Sequence, residues 1–418
     1  MRILHVNKFF DFHGGAETYL HRIMEGQRAA GHDVHVFSTR TEKNIPTPDS
    51  KFFVKRWNMD RSDGARRDIS KAMDFLWNRV AERAMGEMIR VVKPEVIHLH
   101  NIYHHLSTSI LAPIRMHHIP CVQTLHDYKL ACPNYKMFTE GKPCERCRGG
   151  KYREMISHNC FGNFSANLLG VLEKNMTHAR QSYEKTVSLF LCPSHFLLER
   201  MENWGEPKKQ LRYMPNPTEL ADTPAPRGGG YLLFAGRLSP EKGLDGFLKA
   251  ALRIPEMPVK IVGRGPEEVA LQRLVREHHG TNIEFLGFRT PKELTEIRRR
   301  AEAVVLPSIW YENASLSLLE ALGDGLPCLT TRIGGNPELV EDEVNGLLVK
   351  PGDEADWMRI IRRFQALSSD ARDKMAQAGR EKIQRGRTWE AHLQELERIY
   401  KEVQKEKGLR HVARERRD

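Results

Sequence analysis

The forty residues from Pro307 to Gly346 limit the choice of fold more than any other stretch of this chain. The apolar run Ala303 to Leu306 that precedes them reads as a strand buried in a parallel sheet. Ser315 to Leu322 reads as a helix ended by Gly323, and Pro327 to Thr331 as the next strand. Strand, loop, helix and strand at this spacing make a βαβ unit, so the chain belongs to the α/β class. Two glutamates, Glu312 and Glu320, stand across the loop and the helix with seven residues between them. The unpaired N–H groups of a helix start favour an anion. A carboxylate before those donors and another about a turn and a half inside suit a nucleotide-sugar, with phosphates on the helix start, Glu312 on the sugar and Glu320 on the ribose hydroxyls.

The same alternation runs through the rest of the 418 residues, enough for two domains. Arg2 to Asn7 is a first strand, followed by a loop with Gly14 and Gly15 and a helix to Ala30. Further strands are expected at 33–38, 96–100, 120–125 and 187–192. His126 lies at the C-terminal end of one of them, where ligands sit in open parallel sheets. Pro215-Asn216-Pro217, then Pro224, Pro226 and Gly228 to Gly230, form the best domain boundary. A second domain restarts with a buried strand from Tyr231 to Ala235 and the loop Gly236-Arg237-Leu238-Ser239-Pro240-Glu241-Lys242-Gly243. A planar guanidinium and a compact ammonium five residues apart in such a loop suit a diphosphate. Gly263-Arg264-Gly265 lacks the third glycine and the acidic residue of a dinucleotide fingerprint, which excludes an NAD site. The expected domains are 1–217, with an insertion at 130–162, then 218–387, then a C-terminal helix and basic tail at 388–418 packing back toward the first domain.

Pro-Ser, Glu312, Glu320-Ala, Gly-Leu-Pro, Gly334-Gly335 and Pro-Glu-Leu-Val stand here in order, as does Gly-Arg-Leu-x-x-Glu-Lys-Gly. This set resembles the retaining glycosyltransferases of family 4, with the GT-B fold of two Rossmann-like domains facing across a cleft. The likeness covers nearly the whole chain and is poor only in the insertion. The sequence departs from the family at Asn313 and Ala314, where Gly-Phe or Pro-Phe is more usual. The resemblance implies transfer of a hexosyl group, with retention, from a nucleoside-diphosphate sugar (UDP before GDP) to a hydroxyl. It implies catalytic roles for Glu312, His126, Arg237 and Lys242. Donor contacts would come from Gly14, Gly15, Phe288, Asn313, Ala314, Ser315, Leu316 and Glu320 as well. No catalytic metal is expected, since basic residues can neutralise the diphosphate and the chain has no Asp-x-Asp metal motif of the other glycosyltransferase fold class.

Four of the seven cysteines, Cys132, Cys144, Cys147 and Cys160, fall within 29 residues of the insertion at intervals of eleven, two and twelve. That pattern fits a tetrahedral thiolate site for structural Zn²⁺, with an iron–sulfur cluster, disulfides or free thiols as alternatives and His158 as a substitute ligand. The absence of a long apolar N-terminal run or of a membrane-length apolar run points to a cytoplasmic protein. A formal net charge of +11 favours anionic partners. A basic helix carrying Arg66, Arg67, Lys71, Arg79 and Arg83, with Ile69, Met73, Leu76, Val80 and Ala84 on its other, half-buried face, could meet an anionic inner membrane leaflet and a lipid-linked acceptor in cell-envelope polysaccharide or glycolipid synthesis. A nucleotide-sugar epimerase of the same fold is the main rival. A nucleic-acid-binding protein is the weaker one, because no aromatic-plus-basic module accompanies the charge.

Overall fold

The structure is a computed structural model that describes residues 1–12, 14–57 and 64–415, without the side chains of 65, 66 and 408–415. Twelve short, mostly apolar runs pair into two parallel six-stranded sheets. The first holds β1 (Arg2–Val6), β2 (Asp33–Phe37), β3 (Val96–Leu99), β4 (Cys121–Thr124), β5 (Leu189–Cys192) and β6 (Leu211–Tyr213), in the order β6-β5-β4-β3-β1-β2. The second holds β7 (Leu232–Ala235), β8 (Val259–Val262), β9 (Ile283–Gly287), β10 (Ala303–Leu306), β11 (Cys328–Thr331) and β12 (Gly346–Val349), in the order β9-β8-β7-β10-β11-β12. This is the two-domain GT-B arrangement. The order reverses between β1 and β3 in one sheet and between β7 and β10 in the other. At such points successive loops leave toward opposite faces and open a crevice at the strands' C-terminal ends.

Each sheet is apolar on both faces because helices cover both. In the second domain Leu233, Phe234, Val304 and Val305 pack with Phe247, Trp357 and Phe364. Burying each such side chain contributes roughly 1.5–3 kcal/mol. The first sheet has one core around Leu4, Val6, Leu99 and Phe190, and another around Ile3, Val36 and Leu191. Leu396, Ile399, Tyr400 and Val403 of the C-terminal helix complete the latter. That helix runs from Trp389 to Glu415, so the expected basic tail is helical over its described length. The chain therefore enters the second domain and returns to cover the first.

The seven helices used below are α1 (Gly15–Ala29), α2 (Ala65–Leu76), α3 (Arg79–Val92), α4 (Phe164–Arg180), α5 (His195–Asn203), α6 (Leu316–Asp324) and α7 (Trp389–Glu415). Two expectations need correction here. The single basic helix is two helices, broken at Trp77 and restarted by Asn78, whose side chain caps the Ala81 N–H at 2.9 Å. Its expected half-buried face is exposed at Ile69, Met73 and Val80, while Phe75, Ala81, Met85, Met88 and Ile89 go inside. The break resets the helical phase, so one periodicity cannot serve both pieces. The side chain of Arg66 lies outside the described residues. Second, Gly323 does not end α6; Gly325, at φ 76°, does. A Cβ at Gly323 would stand 2.2 Å from the Glu219 carbonyl oxygen, so this glycine admits the linker rather than stopping the helix. No helix among the described residues is long and apolar enough to cross a membrane.

Candidate active site

The loops after β7 and β10 leave adjacent strands at the switch point of the second sheet. They place Lys242 against Glu312, Nζ to Oε1 at 2.6 Å. Glu312 is buried, at 5% exposure. Burial pushes its carboxyl upward, but the Lys242 ammonium and a hydrogen bond donated by Ser308 outweigh it, so the group sits below the ordinary carboxylate range. Glu312 is thus an anion fixed in place. Arg237, in the same loop as Lys242, is exposed and has no side-chain partner among the described residues. A free guanidinium beside a neutralised carboxylate leaves net positive charge where a diphosphate would enter.

The glycine pair of the motif has a packing reason. Gly334, at φ 59°, would place a Cβ 2.3 Å from the Glu312 carbonyl oxygen, and Gly335 would place one 2.0 Å from that of Asn313. The Gly335 N–H instead donates to the Glu312 carbonyl at 2.7 Å. The 332–335 turn can therefore lie directly on the Glu312 loop.

The segment after Glu312 reaches the first domain. Asn313 donates to the Leu125 carbonyl at 3.0 Å and accepts from Ser194 at 2.9 Å. Leu125 immediately precedes His126, so the two loops meet in the cleft. Ser315 caps α6, with Ala314 just before it. A Cβ at Gly15 would lie 3.0 Å from Leu316 Cδ1, which brings the glycine loop of the first domain onto the start of α6. Glu338 joins the halves again by accepting from the His195 and Phe196 N–H groups at 2.8 and 2.7 Å, on the first turn of α5.

Other expected site residues lie further out. Glu320 is bonded to Arg298 at 2.5 Å, and Arg298 to Asp324 at 2.6 Å, so Glu320 is held along α6 away from Lys242's carboxylate partner. Phe288 is exposed just past β9. Lys8, Tyr103 and Asp127 carry site character without having been singled out in the sequence. The Lys8 ammonium lies 3.6 Å from the Tyr103 ring centroid, and burial pushes it down to about 8. Tyr103 donates to Asp127, whose carboxyl burial pushes up. Their signal was position alone, since each follows a strand of the first sheet.

In the insertion, Phe138–Thr139 and Lys142–Pro143 form a short antiparallel hairpin. Cys132, Cys144, Cys147 and Cys160 all line one void of about 10 Å³ there, with His158. Cys132 Sγ donates to Asn134 Oδ1 at 3.0 Å. All seven cysteines are free thiols, so no disulfide is formed. Among the described residues, the one group of three potential metal-ligand atoms within 4.8 Å of one another is His5, His98 and His100 in the first core, not the cysteines. The thiols are gathered around one void but not closed to coordination geometry.

Similarity to known proteins can be set beside this geometry. The sequence model described as Glycosyltransferase Family 4 matches residues 13–222, and that described as Glycosyl transferases group 1 matches residues 216–382. A glycogen synthase of Mycobacterium tuberculosis is 25% identical over 411 residues, 93% of this chain and 91% of that protein. Among solved structures, a sucrose-phosphate synthase from Thermosynechococcus elongatus superposes with a TM-score of 0.70 at 19% identity, covering 96% of this chain and 98% of the other. Anabaena Alr3699/HepE in complex with UDP and glucose superposes with a TM-score of 0.66 at 16% identity, covering 96% and 99%.

Proposed function

Because this chain belongs to the family 4 glycosyltransferases, we propose that it moves a hexosyl group from a nucleoside-diphosphate sugar to a hydroxyl acceptor with retention of configuration. The observation that carries this reading is the Lys242–Glu312 pair at the switch point beside the unpartnered Arg237. Arg237, Lys242 and the start of α6 hold the diphosphate. Glu312, already ionised, accepts from a sugar hydroxyl and faces the positive charge that grows at the anomeric carbon. Glu320 and Phe288 take the nucleoside end. The bond from the anomeric carbon to the diphosphate oxygen breaks with its electron pair going to the diphosphate. The acceptor oxygen bonds on the same face, and its proton passes to the departing phosphate oxygen. UDP is the favoured nucleotide, supported by the UDP and glucose held by the Anabaena neighbour. The anomeric configuration of the product, read by NMR against the donor's, tests the proposal: retention agrees with it. Inversion, or isomerisation of the donor without acceptor, contradicts it.

Two finer readings belong with this function. The acceptor is lipid-linked and met at an anionic inner membrane face. Support comes from Ile69 and Met73 of α2, exposed beside Arg67, and from Phe164, Leu168 and Leu172 of the neighbouring α4, also exposed. Co-sedimentation with anionic vesicles that is lost at high salt agrees with it, whereas no binding at low salt removes it. The second reading is a structural zinc held by Cys132, Cys144, Cys147 and Cys160. Part of the insertion has a core of only a few side chains, Cys147, Tyr152 and Met155 with Val171 of α4, and a small core is commonly stapled by metal. Zinc would draw the four sulfurs to roughly 2.3 Å from one ion. Elemental analysis of protein purified without added metal gives one zinc per chain if so; four freely titratable thiols and no zinc contradict it.

A further inference from the structure

Behind the cleft, side chains from both ends of the chain form two hydrogen-bonded lines. The shorter starts at the linker, where His392 Nδ1 lies 2.9 Å from the Pro215 carbonyl oxygen. A carbonyl only accepts, so Nδ1 carries the proton. Burial keeps the ring neutral, with its pKa pushed down to about 4, which leaves Nε2 as a lone pair. The Tyr19 hydroxyl therefore donates to it, at 2.7 Å. The longer line runs both ways from Gln27, whose amide nitrogen donates to Tyr400 at 3.2 Å and whose Oε1 accepts from His5 Nε2 at 2.7 Å. Tyr400 then donates to His98 Nδ1 at 2.7 Å, and His98 Nε2 to Thr124 at 2.8 Å. His5 Nδ1 then accepts from His100 Nε2 at 3.1 Å, and His100 Nδ1 from His126 Nε2 at 3.0 Å. Burial lowers the pKa of each of these imidazoles, so every ring is neutral and every direction follows from the one before.

We propose that this line fixes the tautomer of His126, with its Nε2 proton toward His100 and a bare Nδ1 toward the cleft, and that the Gln27 amide sets the direction. His126 Nδ1 has no partner among the described residues. The ring thus offers the cleft an acceptor, suited to a sugar hydroxyl, and no proton. The sugar contact rests on the glycosyl-transfer reading; the tautomer does not. His5, His100 and Gln27 act through His126 and are positioning residues. The cluster of His5, His98 and His100 could also suggest a metal. Both nitrogens of each ring are already hydrogen-bonded, and a divalent ion would bring uncompensated charge into an apolar core.

Long-range ¹H–¹⁵N NMR of the full chain labelled at histidine reads the tautomers near neutral pH with no ligand added, with His126→Gln identifying the resonance. In the wild type, His126 carries its proton on Nε2 alone. Tyr400→Phe removes the hydroxyl between Gln27 and His98, so the direction is no longer set and both tautomers appear at His126. Gln27→Leu removes the amide itself and carries the same expectation should Tyr400→Phe not fold. A proton on His126 Nδ1 in the wild type, an unchanged tautomer in both variants, or loss of the histidine N–H signals on adding Zn²⁺ overturns the proposal. Unchanged donor affinity in His126→Ala would remove the sugar contact and leave the tautomer result standing.

Discussion

Arg237 and Lys242 share a loop but not a structural burden. Arg237 is exposed and unpartnered, so Arg237→Ala should leave the melting temperature unchanged and weaken donor binding. The lost charge-assisted contact is worth roughly 1.5–3 kcal/mol, about a tenfold to hundredfold change, measurable by calorimetric titration. Lys242→Ala should do more. It strips the only cation bonded to Glu312 among the described residues and leaves a buried carboxylate uncompensated, a loss of about 3 kcal/mol of stability in urea denaturation. Adding Glu312→Gln should return part of that stability without returning activity, and a double variant no more stable than Lys242→Ala would mean that the pair is not coupled. The glutamates should separate in kinetics. Glu320→Ala raises KM for the donor, because ribose contacts are alike in ground and transition states, while Glu312→Gln lowers kcat, because the sugar gains charge only as the bond breaks.

The strand–loop–helix units were legible because they are periodic and because βαβ connections leave few alternatives. Lys242 and Glu312 were legible only as members of two separate motifs; their direct contact depends on β7 and β10 being neighbours, which lies in the topology and in no local spacing. Gly323 misled because a glycine after an apolar helical run looks like a stop signal, and nothing local reveals that the Glu219 carbonyl presses on it. The exposed Ile69, Met73 and Val80 misled for a similar reason: an apolar stripe states that a face exists and not what covers it. His126 was found from its place at a strand end, whereas the line behind it joins residues 373 apart in sequence, as Gln27 to Tyr400, and had no local signature. The Gly334 turn offers a test of how tightly the motif is packed. Gly334→Ala puts a side chain at positive φ against the Glu312 backbone and should lower stability by at least about 2 kcal/mol and abolish turnover, while Gly352→Ala, also at positive φ but in open space, should be milder and keep activity.

Across the whole molecule, the linker, α7 and the first sheet are tied by neutral histidines, which gives folding a pH dependence of definite sign. His5, His126 and His392 have their pKa pushed down to about 4 by burial, against an ordinary value of 6.5. The unfolded chain binds those protons first as pH falls, so their contribution is fully present above about 6.5 and is lost toward pH 4, by up to roughly 3 kcal/mol for each ring. Melting temperature should therefore fall steeply between those values; a flat profile there would show that the rings are not held neutral. The site that this frame supports is tested most directly by thermal unfolding with a panel of nucleoside-diphosphate sugars. At ligand a hundredfold above its Kd, stabilisation of about 2.7 kcal/mol is expected for one donor, UDP-linked first, in the wild type. The same donor should give a smaller shift in Arg237→Ala at that concentration, roughly 0.4–1.4 kcal/mol. If no donor in the panel stabilises the wild type, or if Arg237→Ala is stabilised equally, the switch-point loops do not bind the nucleotide-sugar.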